Sequence, residues 1–151
     1  MLSLNRGMVA ITTAMLLSTA ASADECDSKA AEAASKIGGT VSRRMVIGDL
    51  IEHPSVPMLG VMCEDHTIIG VVAQSGERTP PTPYRETVSR FIAAVFPSIT
   101  VQQASSEVMK CQTIALSRER EWATSEVKDH RFQCRADADG DGPVLAVTGL
   151  K

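Results

Sequence analysis

The chain has 151 residues, enough for one compact domain and too few for two. Hydrophobic residues make up 44% and charged residues 22%, a balance that favours a packed core over disorder. A formal net charge of −3 excludes nucleic-acid or anionic-membrane binding driven by overall charge, and one Trp, one Tyr and three Phe supply too little aromatic surface for a base- or sugar-stacking platform.

Residues 1–23 contain Arg6 as their one charged side chain, then an apolar run over 8–17, then the small residues Ser18-Thr19-Ala20-Ala21-Ser22-Ala23. A basic start, a short hydrophobic stretch and an Ala-x-Ala ending is the layout of a secretory signal peptide. The run is too short to span a bilayer, which takes about 20 apolar residues. Cleavage is expected after Ala23, leaving one domain over 24–151 in a periplasmic or extracellular setting. No Arg-Arg pair precedes the apolar run, so the general secretory route is expected. Asp24-Glu25 ahead of Cys26 argues against lipid anchoring there, and no later segment is apolar enough for a transmembrane anchor.

After the leader, Asp27 is placed to cap a short Ala-rich helix over 28–37, stopped by Gly38-Gly39, with Ala30, Ala33, Ala34 and Ile37 on its buried face. Alternation over 40–50 predicts one strand, broken by Glu52-His53-Pro54-Ser55. Strands are predicted over 56–63 and 66–73, linked by Glu64-Asp65. Ile68-Ile69-Gly70-Val71-Val72, apolar on both faces, predicts that the second of them is central and fully covered.

Thr82-Pro83 opens the clearest helix, with Thr82 as its cap and Pro97 as its stop. Its apolar stripe is Tyr84, Val88, Phe91, Ile92, Val95 and Phe96. Residues 99–106 are polar and ambiguous, 108–116 read as a strand, and Arg118-Glu119-Arg120-Glu121 as a charged reversal. A further strand is predicted over 127–135. A last short one, over 144–147, pairs back across the acidic loop that precedes it. The expected fold is α+β: an antiparallel sheet of about five strands, with one long amphipathic helix and one short N-terminal helix packed on one face.

Four cysteines, Cys26, Cys63, Cys111 and Cys134, in an exported chain predict two disulfides. Of three possible connectivities, Cys26–Cys63 with Cys111–Cys134 is favoured, because the latter pair flanks one hairpin or helix–strand return. No Cys-x-x-Cys is present to support a thioredoxin-type role. The competing use of Cys63, His66, His130 and Cys134 is a zinc tetrad, although their order matches no standard finger.

The most suggestive local pattern for chemistry is Asp137-Ala-Asp139-Gly-Asp141-Gly142, which follows the first half of a calcium loop, with Asp137, Asp139 and Asp141 as candidate ligands. Thr148 stands where the bidentate Glu belongs and the flanks read as strands, so a solvated acidic hairpin loop is the favoured alternative. His53, His66 and His130 are the acid–base candidates. The serine context Ala73-Gln74-Ser75 lacks the first Gly of a nucleophile elbow, and there is no phosphate-cradling Gly loop or His-Glu-x-x-His helix. No motif therefore fixes a reaction. The expected function is binding, to another protein or an envelope component and not to nucleic acid. A hydrolase with a spatially assembled His site and a weak calcium-binding module are the alternatives.

Overall fold

The computed structural model describes residues 25–118, 120–137, 140 and 142–150. The candidate leader, Asp139 and Asp141 lie outside the described residues. In chain order the elements are α1 (Glu25–Ile37), β1 (Thr40–Met45), β2 (Gly48–His53), β3 (Val56–Glu64), β4 (Thr67–Gln74), α2 (Thr82–Val95), α3 (Val101–Ser117), β5 (Ala123–Val127), β6 (His130–Arg135) and β7 (Val144–Gly149). The strands form one seven-stranded antiparallel sheet in the order β1-β2-β3-β4-β7-β6-β5. The α+β class is as expected, but the described residues form seven strands, not five, and three helices, not two.

Each extra element has a local cause. The strand expected over 40–50 is a hairpin, because Gly48 turns the chain back at φ 148°. A Cβ at Gly48 would stand 1.9 Å from the Val61 carbonyl oxygen, so only glycine fits that close approach. The strand expected over 127–135 begins three residues later, as β6, because the chain reverses at Lys128 with φ 52°, and the strand before that turn, β5, was not expected. The strand expected over 108–116 is part of α3. Its N-terminus is fixed by a capping box in which Thr100 and Gln103 serve each other's backbone N–H groups at 3.2 and 3.0 Å. Ala104, Val108, Cys111 and Ala115 then recur at helical steps and are buried.

Smaller shifts follow the same logic. The α1 helix includes Cys26 on its buried face and is not capped by Asp27, whose carboxylate pairs instead with Arg44 at 3.0 Å. The N-cap of α2 is Pro81; Thr82 is its first helical residue and accepts from Arg85 Nη2 at 3.2 Å. The β3–β4 link is Asp65-His66, both at positive φ (47° and 65°), so His66 occupies a tight hairpin turn and does not begin a strand.

All three helices pack on one face of the sheet: α1 against β1, β2 and β4, α2 against β3 and β4, and α3 against β5 and β6. The core lies between the layers. Across the sheet it is built from two rows of partnered residues, Ile51–Leu59–Ala73–Leu145–Cys134–Ala123 and Val61–Val71–Val147–Phe132. Tyr84, Val88, Phe91 and Ile92 of α2 press into it, each fully buried. Complete burial of one such Val, Ile or Phe side chain contributes about 1.5–3 kcal/mol. The β4 strand is central, as expected, but it is covered on the helix side only. Val72 on its other face is half-exposed.

Cys26 is joined to Cys63 and Cys111 to Cys134, with Cα–Cα distances of 6.3 and 5.6 Å. One bridge ties α1 to β3, the other ties α3 to β6. No helix among the described residues is long and apolar enough to cross a membrane.

Candidate functional site at the hairpin corner

At one end of the sheet, the β1–β2 turn, the β3–β4 turn and the start of α1 meet at a corner. The β1–β2 turn carries Val46 and Ile47, and both project away from the core: Val46 is fully exposed and Ile47 is 59% exposed. Large aliphatic side chains at a turn tip are unusual, because turns favour Gly, Pro, Asn, Asp and Ser. Beside them is a cavity of about 260 Å³ whose wall includes Cys26, Asp27, Arg44, Gly48, Cys63 and His66.

The corner is held from three sides. The Cys63 backbone N–H donates to the Ile47 carbonyl at 2.7 Å, fastening the turn to β3. The Cys26–Cys63 bond fastens β3 to α1. Arg44 Nη1 lies 3.0 Å from Asp27 Oδ2, joining β1 to α1, although an ion pair this exposed contributes at most about 1 kcal/mol. Val46 and Ile47 are thus presented on an anchored support, not at a frayed tip. A protruding aliphatic pair beside a recess bearing both charge signs is suited to docking. Apolar anchors supply affinity on burial, and the surrounding charges select the partner's orientation.

The sequence-predicted candidates lie elsewhere, apart from His66, Cys26 and Cys63. Asp137, at the end of β6, accepts from Arg135 Nε and Nη2 at 3.2 and 3.1 Å. The loop that follows connects two strands, β6 and β7. Thr148, the twelfth position of the calcium pattern, is paired in the ladder with Gly70 on one side and Arg131 on the other. Among the described residues there is no cluster of three or more His, Cys, Asp or Glu placed to hold a metal ion. Cys63 and Cys134 belong to different disulfides, so neither supplies a thiolate to the zinc tetrad that the spacing suggested.

The three histidines are dispersed. The ring of His53 accepts from the Ser55 backbone N–H at 3.1 Å through Nδ1, and Nε2 donates to the Ile37 carbonyl at 3.1 Å. His66 turns the β3–β4 hairpin. His130 packs against Phe96 with the rings tilted by 54° and their centroids 4.5 Å apart, and its Nδ1 is buried with no partner among the described residues. Burial lowers the His130 pKa, Asp129 opposes that shift and Lys128 adds to it. The structure therefore does not bring the acid–base candidates together.

A second recess, of about 350 Å³, lies at the opposite end of the sheet between the β2–β3 turn and the start of α2, with Pro54, Pro57, Pro81, Pro83 and Tyr84 in its wall. The Tyr84 hydroxyl is buried without a partner among the described residues, and burial pushes its pKa up.

Sequence reasoning missed Val46 and Ile47 by assigning them to opposite faces of one continuous strand. The signal that marks them is Gly48, an isolated glycine in an otherwise strand-like run.

No family model matches the chain, and no curated protein or solved structure matches it either.

Proposed function

We propose that this protein is an exported binding domain, released from its leader after Ala23 and stapled by its two disulfides, which docks another protein or an envelope component through the Val46–Ile47 corner. Paired cysteines and a leader-like N-terminal sequence support export. The observation that carries the binding reading is the exposure of Val46 and Ile47 on a turn fixed by Cys63. Two aliphatic side chains buried in a partner would contribute about 1.5–3 kcal/mol each, enough to anchor a modest interface. Arg44, Asp27 and His66 beside them suit a partner with mixed charge around an apolar pocket.

The test compares natively produced protein with the double variant Val46→Asp/Ile47→Asp. The substituted side chains face solvent, so the thermal midpoint should stay within about a degree or two of the parent. A partner that co-purifies with the parent and is lost from the variant supports the reading. Co-purification unchanged by the substitutions overturns it.

A further inference from the structure

The sheet face turned away from the helices points to a second interface. On that face lie Leu50, Met58, Met62, Val72, Val144 and Ala146, all half-exposed, spread over β2, β3, β4 and β7. Gly60 and Gly70 lie between them. A Cβ at Gly60 would meet Leu50 and Val72 side-chain atoms at 3.5 and 3.6 Å, and Met62 lies directly over Gly70. The apolar side chains thus close over the glycines into one continuous surface. From this we infer that the open sheet face is the contact surface of a homodimer, two copies packed sheet to sheet. This is separate from the hairpin-corner reading and does not depend on it.

Three arguments favour a second copy as the occupant. The first is size. Seven strands about 4.8 Å apart, each contributing about six residues at about 3.4 Å, give a face of roughly 30 by 20 Å. That is about 600 Å² per copy and about 1,200 Å² in total, at the lower bound of stable interfaces.

The second is symmetry. β4 is the central strand, with three strands on each side. A two-fold axis along β4, between the copies, lays β3 over the partner copy's β7 and β2 over its β6. The register then stacks Val72 on its own counterpart, Gly60 over Ala146, and Met58 over Val144. Val72 and Met58 meet apolar side chains and Gly60 meets an alanine, while Leu50 lies over Gln133 and Met62 over Thr148. Two equally twisted sheets can keep this contact with their strands within about 30° of one another.

The third is charge. The same operation places Glu52 of β2 opposite Arg135 of β6, which also holds Asp137 of its own chain, and sets Arg43 of β1 over Thr124 of β5, one register step from the Glu126–Arg131 ion pair. The Glu52–Arg135 opposition occurs twice by symmetry, which places opposite charges at two points of the rim around the apolar centre. An axis perpendicular to the strands would instead bring the Arg131 and Arg135 side chains together and set Glu52 over Gly48, with no opposite charge, so the axis along β4 is the one assigned.

The experiment is sedimentation equilibrium of the natively produced, oxidised protein, with circular dichroism as a check on folding. The parent should sediment as a concentration-dependent dimer in the micromolar range. Val72→Arg puts two like charges on the axis and should give a folded monomer. Glu52→Arg should weaken association by roughly tenfold or more, and adding Arg135→Glu should recover much of the loss, because the swapped pair restores complementarity. The Val46→Asp/Ile47→Asp variant should dimerise like the parent. A parent that stays monomeric at high micromolar concentration overturns the proposal, including the case where another protein occupies the face. So does a dimer that survives Val72→Arg, or a charge swap that gives no recovery.

Discussion

The backbone N–H of Cys63 donates to the carbonyl of Ile47 at 2.7 Å, while the sulfur of the same residue is bonded to Cys26. One residue therefore fixes the exposed turn and ties the strand beneath it to α1. Removing the covalent half of this arrangement should loosen the whole corner.

The first prediction concerns that bond. Cys26 and Cys63 are 37 residues apart, and Cys111 and Cys134 are 23 apart. Loop-closure entropy assigns about 3–4 kcal/mol to each bridge, slightly more to the longer loop. The double variants Cys26→Ser/Cys63→Ser and Cys111→Ser/Cys134→Ser should each lower the denaturant midpoint by a corresponding amount. Equal midpoints for parent and variants would show that the bridges do not stabilise the fold.

His53 carries a structural prediction. Its ring spans from the last residue of α1 to the β2–β3 turn, with both nitrogens used in backbone hydrogen bonds. Loss of the ring in His53→Ala leaves the Ile37 carbonyl and the Ser55 N–H without these partners and should cost about 1–3 kcal/mol in chemical denaturation. An unchanged stability would mean that water replaces the ring at no cost, and the structural role would be withdrawn.

His130 sets a pH dependence. Burial against Phe96 holds its folded pKa below the ordinary value of 6.5. A group that binds its proton more weakly when folded stabilises the native state fully above its unfolded pKa. That contribution is lost as the pH falls from about 6.5 through the folded pKa, and levels off below it. Thermal midpoints of the parent should therefore fall more steeply over this window than those of His130→Gln. Parallel curves between about pH 8 and about pH 5 would remove the assignment.

The acidic loop gives the fourth prediction. Asp137 is engaged by Arg135, and Thr148 lies in the ladder where a calcium loop needs a bidentate carboxylate. Calcium at about millimolar concentration should leave the melting midpoint unchanged, since only a ligand bound by the native state raises it. A rise of several degrees would reinstate Asp137, Asp139 and Asp141 as ligands.

What could be read in advance divides by range. The α2 stripe from Tyr84 to Phe96 and the β3 and β4 strands depend on neighbours in the chain, and their elements were legible in the residues themselves. The capping box at Thr100 and Gln103 was equally local, but the apolar residues after it suggested a strand, and the helical spacing of Ala104, Val108, Cys111 and Ala115 went unused. The turns at Gly48 and Lys128 were hidden because alternation continues through them, so the first hairpin read as one strand and β5, ahead of the second turn, went unread. The pairing of β7 with β6 across the acidic loop was legible, but its place beside β4 depends on pairing across about 75 residues, which no local pattern encodes. The exposure of Val46 and Ile47 inherits that difficulty: it depends on where the chain reverses, not on which residues are apolar.

The central place of β7 bears on how the molecule is made. Until 144–149 insert, β4 and β6 each lack the neighbour that completes them, and the sheet exists as two unjoined halves. Neither half can close the ladder until 144–149 have been synthesised, and two raw strand edges stay open to other polypeptides during that interval. Nascent chains cut short before 144 should accordingly be substrates for chaperones and proteases and not smaller versions of the finished protein.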